Sequence, residues 1–195
     1  MNRKWVVAGV VGVLALFAVL ALVVGGVVGR SIVPSSPEPS PPATVRFVDS
    51  LTDVALSYPA GWVRRTSPDQ GVRILASSND GVAGVSVSVR KSGLETVTAE
   101  TLPVVRPLTD DLLNADTRIT VKGQPAAVTV GGLPGYKYTY TYRTQNKSEG
   151  AHVHYFLFKD ERLVQFVLQA VPASRLDALA PTFQQIADTF EGNGR

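Results

Sequence analysis

From residue 44 to the C-terminus, apolar and polar residues alternate with a period of two over most of the chain, the pattern of strands with two unlike faces. Val85, Val87 and Val89 fall on one side of 84–91, while Ser86, Ser88 and Arg90 fall on the other. The same alternation predicts strands over 54–58, 72–77, 118–121 and 126–130, and a three-strand meander over 136–143, 152–159 and 163–171. Asn79-Asp80-Gly81 and Tyr58-Pro59-Ala60-Gly61-Trp62 supply turn chemistry between strands. Twice the spacing becomes helical. Leu102, Val105, Leu108 and Leu112 predict a helix within 98–115, with Pro103 and Pro107 set to start, kink or shorten it. Leu176, Leu179, Phe183, Ile186 and Phe190 form one apolar stripe on a closing helix over 174–190. There Ser174 and Asp177 are spaced as a capping box, and Pro181 is expected to split a short turn from the main helix.

Ahead of residue 44 the pattern is of another kind. Residues 5–29 carry 20 apolar residues and no charge. A helix of that length exceeds the roughly 30 Å thickness of a bilayer's hydrocarbon core. Arg3 and Lys4 precede the run and only Arg30 follows it, so the positive-inside bias puts the N-terminus in the cytoplasm and the remainder outside. The expectation is a retained signal-anchor over 1–30. Leu14, Phe17, Leu20 and Val28 would lie within the bilayer, and Trp5 at its interface. The alternative is a signal peptide cleaved to release a secreted protein, but the run is long for one and has no A-x-A site. Residues 31–43 hold five Pro and four Ser, a semi-rigid stalk with no core. The folded domain is then 44–195.

Charge and composition narrow the chemistry. Of the net charge of +3, part belongs to the residues flanking the apolar run, and the domain is left with 16 basic against 15 acidic residues. No Lys/Arg cluster exceeds two, so no phosphate-tracking nucleic-acid surface is expected. With no Cys there is no disulfide framework, thiolate metal site, thiol nucleophile or lipidated cysteine. No cofactor motif is present. Ser88-Val-Arg-Lys91 and Lys91-Ser-Gly93 imitate the motifs of penicillin-recognising enzymes, yet they overlap in one strand where that chemistry needs a helix and a remote strand. Gly131-Gly-Leu-Pro-Gly135 is a turn with no helix after it to cradle phosphate. Asp110-Asp111 and Asp160-Glu161 are adjacent carboxylates whose side chains diverge.

The meander carries the sharpest inference. If Asp160-Glu161 is a two-residue loop, His154 lies opposite Val167 and His152 opposite Gln169. Val153, Tyr155, Leu157, Val164, Phe166 and Leu168 then share one apolar face, which belongs under a helix. If the 144–150 loop preserves parity, Tyr138, Tyr140 and Tyr142 join His152, His154, Gln165 and Gln169 on the other face. These seven residues are the candidate binding platform, for a small hydrophobic or glycan ligand. The plain alternative is a set of cross-strand aromatic pairs that stabilise the sheet, with the two histidines half-exposed. His152-x-His154 also has the spacing of two zinc ligands, although no third ligand is identified.

The Tyr58–Trp62 turn, the hairpins and the closing Pro181-x-Phe183-x-x-Ile186-x-x-x-Phe190 helix resemble the PsbP-like fold over about residues 46–191. That group includes actinobacterial LpqN-type lipoproteins, the PsbP subunit of photosystem II and a Ran-binding nuclear import factor. The resemblance implies an α+β fold, an antiparallel sheet with helices on its faces, here preceded by one transmembrane helix. It also implies accessory or binding roles without a shared active site, so no catalytic residue is carried over. The expected function is a non-enzymatic, membrane-anchored extracytoplasmic module with the bilayer and an envelope protein as partners. Two alternatives stand beside it: ligand binding on the aromatic face, and a metal-dependent enzyme of unrecognised type.

Overall fold

All but one of the strands predicted by alternation assemble into one antiparallel sheet, the strand over 54–58 lying apart from it, in a computed structural model that describes residues 43–144 and 147–193. The expected transmembrane helix, including Trp5, Leu14, Phe17, Leu20 and Val28, and the stalk up to residue 42 lie outside the described residues. Among the described residues no helix is long and apolar enough to cross a membrane.

In chain order the elements are β1 (Thr44–Asp49), β2 (Val54–Pro59), β3 (Val63–Arg64), β4 (Val72–Ser77), β5 (Ala83–Lys91), α1 (Leu102–Asn114), β6 (Ile119–Val121), β7 (Ala126–Val130), β8 (Leu133–Arg143), β9 (Glu149–Lys159), β10 (Arg162–Ala170) and α2 (Leu176–Asp188). The large sheet runs β3-β4-β5-β10-β9-β8-β6, with β7 also paired to β8. β1 and β2 form a separate hairpin. β1 and β3 were not expected from the alternation.

Both faces of the sheet are covered, by different means. On the first, Val85, Val87 and Val89 of β5, Val164, Phe166 and Leu168 of β10, and Tyr155 and Leu157 of β9 pack against Val54, Leu56 and Tyr58 of β2 and against Phe183, Ile186 and Phe190. Phe166 stacks on Phe190 with ring centroids 5.0 Å apart. The C-terminus is stitched to β2 by Ala55 and Glu191, which exchange backbone hydrogen bonds of 3.0 and 2.8 Å. On the second face, Leu102, Leu112 and Leu113 of α1 cover the tyrosines of β8 together with Phe156, Phe158 and Leu163.

α1 begins at Leu102, inside the expected 98–115, because Pro103 fits the first turn, where its missing N–H costs nothing. Three expectations about the helices are corrected. Pro107 lies inside α1 without ending it. Likewise Pro181 does not split α2, which runs unbroken from Leu176 to Asp188, because burial of Phe183 and Ile186 outweighs one lost backbone hydrogen bond. The short leading turn is instead a 3-10 turn at Ala173–Arg175, so Ser174 sits inside it and makes no capping bond.

Candidate functional site

The register derived from the sequence is the one found. Asp160-Glu161 is the two-residue loop, Asp160 adopting a left-handed φ of 51° that short polar residues tolerate. His154 is paired with Val167 and with Tyr138, and His152 with Gln169 and with Tyr140. Tyr138, Tyr140, Tyr142, His152, His154, Gln165 and Gln169 therefore do share one face of β8, β9 and β10.

That face is closed, not half-exposed. All seven residues are buried, His154 and Tyr140 completely. Over the tyrosines the cover is α1, whose covering face the strand pattern could not reveal. It meets the tyrosine row with polar as well as apolar groups. Tyr136 donates to the Leu102 carbonyl at 3.2 Å. Tyr138 donates to Asp110 Oδ1 at 2.6 Å and lies 2.6 Å from the hydroxyl of Thr109. Thr109, which the sequence pattern does not single out, and Asp110, expected there only as one of two diverging carboxylates, are thus the helix side of the cluster. Only the strand partner of α1 gives them meaning, and no local signal marks them.

At the centre Tyr140 joins the two histidines. His152 Nδ1 is 2.9 Å and His154 Nδ1 3.1 Å from its hydroxyl, while His152 Nε2 is 3.0 Å from Gln169 Oε1. With the amide oxygen of Gln169 turned toward His152, the donor count sets the protons. An amide oxygen only accepts, so His152 carries its proton on Nε2 and presents a bare Nδ1. Tyr140 must donate to that Nδ1, and its oxygen then accepts from His154 Nδ1–H. The two histidines are opposite tautomers, and the lone pair of His154 is left on Nε2. That atom finds no hydrogen-bond partner among the described residues, although the Gln165 amide lies near enough to oppose deprotonation.

Electrostatics agree with a neutral cluster. Burial lowers the His152 pKa to about 4, against the opposing pull of Gln169. Burial and then the neighbouring His152 push His154 well below its ordinary value. Tyr140 is raised by burial first, then by Tyr142 and Asp116. The rings pack as well as bond: His154 stacks on Phe156 at 3.9 Å, and Tyr142 lies 4.4 Å from His152. Gly150 allows this, since a Cβ there would stand 2.4 Å from the Tyr142 ring.

The space left is small. A void of about 10 Å³ beside Tyr140, Tyr142, His152 and Arg118 is the size of one water. Further along the same face Ser86, Ser88 and both amide atoms of Gln165 are buried without hydrogen-bond partners among the described residues. No group of three or more His, Asp or Glu able to hold a metal occurs among the described residues, so His152 and His154 gain no third ligand.

No family model matches the chain, and no curated protein matches it. Solved structures do. The cyanobacterial PsbP protein CyanoP of Synechocystis sp. PCC 6803 superposes with a TM-score of 0.58 at 17% identity, over 81% of this chain and 97% of that one. LpqN of Mycobacterium tuberculosis, described as involved in cell envelope biogenesis, superposes with a TM-score of 0.51 at 12% identity, over 78% of this chain and 85% of that one. At these identities the likeness speaks to fold alone, and with the sheet order and the two helices it gives the domain of this chain a PsbP-like fold, similar also to that of LpqN.

Proposed function

We propose that this protein is a non-catalytic accessory module of the cell envelope, tethered by residues 5–29 and carried on the Pro/Ser stalk outside the membrane. One observation carries the reading. Among the described residues, the tyrosine–histidine face singled out from the sequence as a chemical site is closed as neutral core, so action falls to the exterior of the domain. The uninterrupted apolar run supports the tether, and LpqN, whose described role is in envelope biogenesis, supports the setting.

Two experiments test it. Protease added to intact spheroplasts should remove the domain and leave a short protected fragment containing 5–29; a domain cleaved only after the membrane is opened overturns the topology. A photo-crosslinking residue at Val104, 79% exposed on α1, or at Leu51, 75% exposed in the β1–β2 turn, should trap envelope proteins in living cells. Absence of protein adducts from both positions overturns the accessory role.

A further inference from the structure

At the end of the sheet where β5 stops and the β9–β10 hairpin turns, the register places Lys91 opposite Arg162 and Arg162 opposite Lys159. One step inward on the same face stand Val89, Val164 and Leu157, all core residues, so the three cations form the rim of that core face. Like charges directly opposite one another weaken a sheet. Here the penalty recurs across three adjacent strands. Arg73, from the bulge between Val72 and Ile74 in β4, adds a fourth cation.

The acids nearby account for only part of this charge. Asp49 lies 3.6 Å from Arg73, Asp69 pairs with Arg90, and Asp53 lies 3.7 Å from Lys159. The Lys159 ammonium also donates to the Thr52 carbonyl at 2.8 Å and is buried. Lys91 and Arg162 form no ion pair among the described residues, and neither Asp160 nor Glu161 reaches the row. These two cations border a cleft of about 240 Å³ lined also by Arg73, Arg90, Leu51 and Thr52.

We propose that this cleft is an anion site for a phosphate ester, with Lys91 and Arg162 as its principal cations and Arg73 beside them. The match is one of charge, shape and size. A phosphate monoester carries about −1.5 to −2 near neutral pH, equal to the two unpaired cations. Its oxygens accept the forked donors of arginine. The cleft exceeds a bare phosphate in volume, and the exposed Leu51 offers an apolar lip for what the phosphate is attached to. The ester can be a soluble metabolite or the headgroup of an anionic lipid, since both present the same oxygens. The inference does not depend on the proposed envelope role.

The test uses the full-length chain in a non-ionic detergent and phosphate-free buffer, titrated by calorimetry with inorganic phosphate and with dihexanoyl phosphatidic acid. Saturable one-to-one binding is expected, weakened about tenfold or more by Arg162→Gln or Lys91→Gln and unchanged by Lys122→Gln, on an exposed turn away from the cleft. Without anion, Arg162→Gln should also raise the melting temperature by relieving the cationic row, and phosphate should narrow that gap. Tighter binding of the short-chain lipid assigns the site to a headgroup, and equal binding assigns it to soluble esters. No saturable binding of either probe, or binding that ignores both cleft substitutions, overturns the site.

Discussion

Tyr140 holds the interior together by holding two histidines in different protonation geometries. Its hydroxyl has one proton and two neighbours, so it donates to His152 and accepts from His154, and the Gln169 oxygen fixes which way round the pair is set. This arrangement is directly observable. Long-range ¹⁵N–¹H correlation spectra should show His152 protonated on Nε2 and His154 on Nδ1. Matching tautomers would break the relay. Tyr140→Phe keeps the ring's packing on His152 but removes the hydroxyl that serves both Nδ1 atoms. Each buried polar atom deprived of its partner costs about 1–3 kcal/mol, so with two such atoms the variant should lose about 2–6 kcal/mol in urea unfolding. A loss below about 1 kcal/mol would mean that water replaces the hydroxyl.

At the scale of elements, close approach is enforced where β8 crosses β9. Gly135 lies opposite Leu157, and a Cβ there would stand 2.1 Å from the Phe156 carbonyl oxygen and 2.9 Å from the Leu157 Cα, both backbone atoms that cannot turn aside. Gly135→Ala should therefore cost about 1–3 kcal/mol, an overpacking penalty, measured as a lower urea midpoint with unchanged slope. Phe183→Ala, which empties the contact between α2 and the first face, should cost about 3–5 kcal/mol. The hairpin that builds the candidate cluster was legible beforehand because its register is local. A two-residue loop fixes every pairing of β9 with β10, and period-two alternation fixes the faces. Even the opposition of Lys159 and Arg162 follows from that loop. What the sequence hid is non-local. Lys91 reaches Arg162 only because β5 lies beside β10, more than seventy residues on. α1 closes the tyrosine face through Thr109 and Asp110, which on the helix alone read as ordinary solvated groups. β1 escaped notice because its apolar residues are divided, Phe47 packing inward while Val45 and Val48 remain exposed.

Across the described residues, both histidines sit between a sheet and α1, while α2 and the β1–β2 hairpin brace the opposite face. Protonating either histidine is therefore coupled to opening the core, not to a side-chain rearrangement at the surface. The sign of the pH dependence follows. His152 has a pKa of about 4 in the folded protein against 6.5 when unfolded, so below 6.5 the unfolded chain binds more protons than the folded one. Stability contributed by the neutral ring is complete above about pH 6.5, falls as the pH is lowered through that value, and is spent near pH 4. From His152 alone the loss between pH 7.5 and pH 5 should be about 2 kcal/mol, and His154, shifted in the same direction, adds to it. Urea unfolding of the full-length chain across this range should show a midpoint that falls steadily with acidification. His152→Gln should be less stable at pH 7.5 but flatter in its pH dependence, since the group that takes up the proton on unfolding is gone. A wild-type midpoint that stays level from pH 7.5 to 5 would mean the histidines are solvated or already charged in the folded protein. The closed core, and the argument that action falls to the exterior of the domain, would then fail together.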